Sequence, residues 1–270
     1  MIELVIDGQA LRAEEGKTIL DVARDIGIHI PTLCHHDAVS PSGACRLCIV
    51  EVYPRGSTMS YMTTACNFPV EEGMEVWTSS AKVLESRRMT VELLLAKEPE
   101  SKIIQEIAAD LGVEKTPFTL EGDDTCILCG LCVGVCREAV VGADALNFIT
   151  RRGKTEPHIE FSPDTCIGCG ACSLLCPTGF IKMEEVEGQR IIWGTAFRMR
   201  KCSCCGSYTT TEAHWEYMEE KVGTSSEFRT ARDICPACRR DAISSELLDL
   251  PEKSLISLYE TGTTDPLENS

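Results

Sequence analysis

Long apolar runs, a leader segment and any sign of a catalytic apparatus are what this sequence lacks. No stretch of eighteen or more apolar residues occurs, so a transmembrane helix is not expected. The chain opens MIELVIDGQA, acidic at once and without an apolar h-region, so a secreted product is not expected either. No Gly-rich dinucleotide fingerprint, no phosphate loop and no nucleophile with an oriented base can be picked out. Basic residues are also short, with 26 Lys and Arg against 42 Asp and Glu, and the net charge of −16 disfavours nucleic acid or anionic lipid as a ligand. These absences point to a cytoplasmic protein without its own catalytic site, reaching a membrane only through partners.

Cysteine is what the sequence has in excess. Seventeen cysteines occur among 270 residues, in tight groups separated by long cysteine-free stretches. Repeated two-residue gaps let neighbouring thiolates face one metal centre, so reduced metal ligands are expected here and disulfides are not. With 43% hydrophobic and 25% charged residues, the composition suits two or three small globular domains held together partly by metal ligation.

Residues 1–8 alternate Ile2, Leu4 and Ile6 with polar neighbours before a turn at Asp7-Gly8, and LRAEEGKT follows as a candidate return strand, which reads as a β-hairpin. Thr18 with Asp21 resembles a capping box opening a short helix that closes at Gly27. A hairpin, a helix and then a Cys-rich loop is a β-grasp-like order. AKVLESRRMTVELLLAK and ESKIIQEIAADLG read as two helices around Pro99 without Cys or His, either a spacer between cluster domains or an ordinary packing element.

Cys34, Cys45, Cys48 and Cys66 are separated by ten, two and seventeen residues, a loop supplying three thiolates and a returning strand the fourth. Four thiolates suit a [2Fe-2S] cluster, and Gly43, Ala44, Ser40 and Ser42 would let backbone and hydroxyl donors approach its sulfides. His35 and His36 suggest a Rieske centre, but four cysteines are already available. Structural zinc is the stronger rival, although it usually takes two close pairs, and this set has one.

DDTCILCGLCVGVCREAV and PDTCIGCGACSLLCPTGF repeat one pattern forty residues apart. In two-cluster ferredoxins the fourth cysteine of each run ligates the other cluster. Cys126, Cys129, Cys132 and Cys176 are therefore assigned to one [4Fe-4S] cluster, and Cys166, Cys169, Cys172 and Cys136 to a second. Gly130, Gly134, Gly168 and Gly170 keep these loops compact. Cys176 is followed by Pro177 but Cys136 by Arg137, a positive charge that would favour a reduced cluster unless it pairs with Glu138 or solvent. Between the runs, ALNFITRRGKTEPHIEF reads as two strands around an Arg-Gly-Lys turn.

CSCCG and CPAC form a third group. Cys202, Cys205, Cys235 and Cys238 fit a zinc-ribbon-like tetrahedral site, leaving Cys204 over, with a third [4Fe-4S] cluster as the rival occupant and His214 as a packing residue.

The stretch IPTLCHHDAVSPSGACRLCIVEV, followed by TACNFPVEEGMEVWT, is similar to the N-terminal domain of the large iron-sulfur subunit of respiratory complex I. The same module occurs in diaphorase iron-sulfur subunits of NAD-linked hydrogenases and formate dehydrogenases, and the resemblance covers nearly all of residues 1–95. That family places a His and three Cys for an additional [4Fe-4S] cluster after the next helix. This sequence has neither His nor Cys between Asn67 and Thr125, so that cluster cannot be built locally.

The expected fold is α+β. It comprises a plant-type [2Fe-2S] ferredoxin domain (1–80), a helical spacer (81–120), a two-[4Fe-4S] ferredoxin domain (121–190), a Cys-rich metal-binding module (191–245) and an acidic tail (246–270). The expected function is an electron relay. By resemblance its partners are a flavin (FMN) and NAD-binding subunit, a small [2Fe-2S] subunit, and a hydrogenase or formate dehydrogenase catalytic subunit. An electron-bifurcating complex that also uses ferredoxin suits the missing cluster and the added Cys-rich segment. The alternatives are a freestanding multicluster ferredoxin shuttle and, less economically, a redox-sensing or assembly protein.

Overall fold

The first strands follow directly from alternation. In the computed structural model, β1 (Ile2–Ile6) buries Leu4 and Ile6 and pairs antiparallel with β2 (Gln9–Ala13), Ile6 opposite Gln9. Asp7 and Gly8 close the hairpin with φ of 47° and 80°, the positive values that a two-residue type I′ turn demands. The Asp7 carboxylate accepts from the backbone N–H and the hydroxyl of Thr78, tying the turn to a segment some seventy residues away.

Helix α1 (Ile19–Asp25) starts at the expected capping box: Thr18 Oγ1 accepts from Asp21 N–H at 3.2 Å and Asp21 Oδ2 accepts from Thr18 N–H at 2.9 Å. Its buried Ile19, Leu20, Val22 and Ala23 pack on a five-stranded sheet ordered β2-β1-β5-β3-β4, with β3 (Ile49–Tyr53), β4 (Tyr61–Thr64) and β5 (Glu75–Trp77). Only β1 and β5 run parallel. Ile6, Val50, Val52 and Val76 are fully buried, so this domain has a hydrophobic core of its own.

Helices α2 (Ala81–Lys97) and α3 (Lys102–Asp110) pack on each other. Ser80 caps α2, its hydroxyl accepting from Val83 N–H. Val91, Ile104 and Ala108 share one buried cluster with Leu33, Val39 and Leu47 from the N-terminal domain and with Cys129, Leu131 and Val135 from the first repeat. The two helices are thus a packing element, covering both cluster loops with apolar side chains.

The first repeat forms a short helix, α4 (Leu131–Gly134), which continues as a π-helical turn over Val135–Ala139. The second forms α5 (Ala171–Leu174). Between them β6 (Leu146–Ile149) and β7 (His158–Phe161) pair antiparallel. The expected Arg-Gly-Lys turn lies outside the described residues, which are 1–120, 125–139, 143–149, 157–222 and 234–248, as does all but the start of the acidic tail.

A second sheet has the order β11-β10-β9-β8, from β8 (Met183–Val186), β9 (Gln189–Ile192), β10 (Thr195–Lys201) and β11 (Tyr208–Thr211). Helices α6 (Glu212–Val222) and α7 (Pro236–Leu248) follow. The chain divides into two compact units. One contains Met1–Cys166, Gly170–Glu184 and Ile192–Thr195; the other contains Ile167–Cys169, Glu185–Ile191 and the chain from Ala196. Among the described residues, no helix is long and apolar enough to cross a membrane.

Candidate metal centres

Cys34, Cys45, Cys48 and Cys66 are all buried, at 2%, 6%, 1% and 1% exposure. Cys34 interacts with the side chains of Cys45 and Cys66, and Cys66 also with that of Cys48, so the four side chains face one another. Cys45 N–H also donates to Cys34 Sγ at 3.3 Å. Hydrogen bonds from Cys45 and Cys66 push the Cys34 thiol down to about 2, and the bond from Cys66 brings Cys48 down to about 7. Cys45 and Cys66 shift upward because they are the donors. Four neighbouring cysteines supply the ligand number of a [2Fe-2S] cluster, which binds them only once all four have lost their protons.

Gly43 has φ of +65°, and a Cβ there would come within 3.0 Å of Asn67 Nδ2 and 3.1 Å of Thr64 Oγ1, so a larger residue would strain the backbone and crowd both side chains. Arg46, between Cys45 and Cys48, also takes a positive φ of 60°, at a cost of about 1–2 kcal/mol for a non-glycine residue. His35 lies against Arg24 of α1 and against Asp37, and His36 Nδ1 accepts from Ala38 N–H, so both imidazoles have polar partners nearby.

Cys126, Cys129, Cys132 and Cys176 line one small pocket together with Phe180 and Trp193. Burial pushes the Cys129 and Cys132 thiols up to about 11 and 12. A metal must therefore displace their protons on binding. Cys136, Cys166 and Cys172 are half-buried in the first unit, whereas Cys169 belongs to the second. Within that second unit Arg190, 9% exposed, donates from Nη1 to the carbonyls of Gly168 and Cys169 at 3.0 and 3.1 Å, and from Nε and Nη2 to Glu185 Oε1. The arginine and its counterion fix the loop that presents Cys169.

The two cluster regions of the first unit touch directly. Ser42 Oγ donates to the Cys129 carbonyl at 3.2 Å, and Ser40 N–H donates to Glu138 Oε2 at 2.8 Å. A Cβ on Gly134 would meet Val39 at 3.2 Å. Arg137 donates to Asp144 at 2.6 Å and Asn147 at 2.7 Å, so its charge is balanced at the surface.

Cys202, Cys205, Cys235 and Cys238 bring their four Sγ atoms within 4.8 Å of one another, and Cys205 Sγ lies 3.7 Å from Cys235 Sγ. Backbone N–H groups of Cys235 and Cys238 donate to Cys202 Sγ and Cys235 Sγ. The Cys202 thiol is pushed down to about 6, chiefly by backbone donors from Cys205 and Cys235. Cys204 is exposed and stands outside this set. His214 serves packing: its Nδ1 meets Thr210 Oγ1 and its N–H donates to Thr211 Oγ1.

Sequence reasoning missed Arg87. It is 4% exposed on α2, donates from Nη2 to the Ile49 carbonyl at 2.7 Å and leaves Nε without a partner among the described residues. Only its place in an apolar helix, ESRRMTVELLL, could have signalled a buried cation.

Residues 1–81 match the model of the 2Fe-2S iron-sulfur cluster binding domain, and residues 122–183 match that of the 4Fe-4S dicluster domain. The chain therefore carries ferredoxin-type domains of both kinds. It is 32% identical over 239 residues to the NADPH-Fe(3+) oxidoreductase subunit alpha of Geobacter sulfurreducens, covering 79% of this chain and 28% of that protein. It is 31% identical over 165 residues to the NADP-reducing hydrogenase subunit HndD of Solidesulfovibrio fructosivorans, covering 50% and 28%. An NADH-quinone oxidoreductase subunit of Rhizobium meliloti is 29% identical over 234 residues, covering 77% and 27%. The chain thus spans less than a third of the length of these curated relatives. A crystal structure of an NAD+-reducing [NiFe]-hydrogenase in the H2-reduced state aligns with a TM-score of 0.47 and 26% identity, covering 56% of this chain and 71% of that one.

Proposed function

We propose that this chain is a non-catalytic electron-relay subunit of an NAD(P)-linked oxidoreductase complex. Cys34, Cys45, Cys48 and Cys66 hold one [2Fe-2S] cluster. Cys126, Cys129, Cys132 and Cys176 hold one [4Fe-4S] cluster, and Cys166, Cys169, Cys172 and Cys136 hold another. The clusters supply one-electron steps, and the chain's own residues position them, exclude water and set their potentials.

The contact between Ser42 and the Cys129 carbonyl carries this reading. It joins the loop of one ligand set to the loop of the next by a single side chain. A relay needs its centres wired to each other, whereas a sensor does not. The absence of His and Cys from 68 to 124 supports direct passage between these two centres, with no intervening cluster.

At Cys202, Cys205, Cys235 and Cys238 the proposed occupant is one structural zinc ion. Four sulfurs at tetrahedral corners, with Zn–S near 2.3 Å, lie about 3.8 Å apart, and the Cys205–Cys235 separation of 3.7 Å fits that spacing. A [4Fe-4S] cube puts each thiolate on a separate iron and spreads them further. We assign the chain to the cytoplasm, with a flavin and NAD-binding subunit, a small [2Fe-2S] subunit, and a hydrogenase or formate dehydrogenase catalytic subunit as partners. Residues 81–120 are assigned as the connection between its ferredoxin domains.

Anaerobic native purification, with partners identified by mass spectrometry and with iron, sulfide, zinc and flavin counted, tests the assignment. Ten irons and one zinc per chain are expected, the irons being two from the [2Fe-2S] cluster and eight from two [4Fe-4S] clusters. Co-purification with a flavoprotein is the expected company. A stable monomer exchanging electrons with unrelated enzymes would sink the complex-subunit reading in favour of a shuttle.

A further inference from the structure

One residue beside a cluster pocket has no role in the cysteine motifs. Trp193 and Gly194 link β9 to β10 with φ of 52° and 72°. Positive φ at both linking residues is what a type I′ hairpin turn requires, and Asn, Asp or Gly meets it at little cost. Trp in the first position costs about 1–2 kcal/mol of backbone energy. A local rule broken in this way is expected where a side chain is wanted for function.

The Trp193 ring lines the pocket of Cys126, Cys129, Cys132 and Cys176. It stacks on Phe161 at 5.7 Å with a 12° interplanar angle and meets Phe180 edge-on at 6.0 Å and 70°, so its plane is fixed from two sides. Its Nε1 is buried and finds no acceptor among the described residues. Leaving an indole N–H buried and unpaired costs about 1–3 kcal/mol, and such groups in native structures usually mark an acceptor outside the polypeptide. In this pocket the acceptors that fit the donor set are cluster sulfurs.

We propose that Trp193 Nε1–H donates a hydrogen bond to a sulfur of the [4Fe-4S] cluster held by Cys126, Cys129, Cys132 and Cys176. The proposal rests on the reading that this pocket holds the cluster. The bond strengthens as negative charge builds on the cluster, so it favours the reduced form and raises the potential. Trp193 is a positioning and tuning residue, and it distinguishes this cluster from the other [4Fe-4S] centre.

The test is an EPR-monitored redox titration of the full chain carrying Trp193→Phe, which keeps an aromatic ring and removes the donor. One [4Fe-4S] midpoint potential is expected to shift downward while the other and that of the [2Fe-2S] cluster stay in place. Unchanged potentials at full iron and sulfide content overturn the proposal and leave the cluster reading standing. Wild-type protein lacking the iron and sulfide of one [4Fe-4S] cluster overturns both. Should the variant not fold, wild-type protein with ¹⁵N-indole tryptophan is examined by pulsed EPR in the reduced state. A ¹⁵N coupling to a [4Fe-4S] cluster supports the bond, and its absence overturns it.

Discussion

The cysteine pocket near the N-terminus and the one near the C-terminus solve the same problem with opposite supports. Cys48 and Cys66 sit in a core with Ile6, Leu20, Val50 and Val76, and that core would stand without them. Beyond residue 196 the buried apolar residues among those described are Phe197, Met199, Cys202 and Cys235, so half of that core is cysteine that we propose binds metal. On the proposed assignment, the fold presents the ligands in one region, and in the other the ligands hold the fold. Small modules lacking a sufficient core depend on metal ligation in this way.

The largest test of this contrast is Cys235→Ala. Structural zinc ligation is worth about 10–16 kcal/mol in small modules, so zinc content should fall from one per chain to none. Amide protection across 196–222 and 234–248 should be lost in hydrogen exchange while residues 1–80 keep theirs. Protection that survives metal loss would break the contrast.

Ile6→Ala tests the other side. Deleting this fully buried side chain should cost the N-terminal domain about 2–5 kcal/mol, read as a lower urea midpoint. Zinc content should not change. A third, smaller effect is expected from Arg190→Met, which removes charged donors from the carbonyls of Gly168 and Cys169. The expected loss is about 1.5–3 kcal/mol of local stability, seen as faster exchange at 167–169 while the zinc stays bound. The smallest is Thr18→Ala, which opens the capping box of α1 at a cost of about 1 kcal/mol and should lower the urea midpoint of the N-terminal domain without changing its visible absorbance.

Elements set by near neighbours were legible in the sequence. The Asp7-Gly8 hairpin, the Thr18–Asp21 box and the two helices flanking Pro99 all form where local chemistry calls for them. Three of the cysteine groupings lie near one another in space: the four near the N-terminus, the set that joins Cys176 to the first run, and the C-terminal four. What was not legible depends on side chains meeting from distant segments. Arg137 looked like the cation to watch because it follows Cys136, yet Asp144 and Asn147 hold it at the surface. Arg87 is instead one of the buried cations, and its setting is made by a strand it approaches only in the folded chain.

The sequence alone determined which atoms can bind metal, because thiolates at two-residue gaps converge through loop geometry with little help from the rest of the chain. It also determined that no Cys or His lies between residues 68 and 124. Only the tertiary structure decided that Ser42 reaches Cys129 and that Trp193 closes the pocket beside Cys176. Ser42 and Cys129 are 87 residues apart, and a pairing at that separation follows from core packing around Val91 and Ile104, which no local pattern encodes.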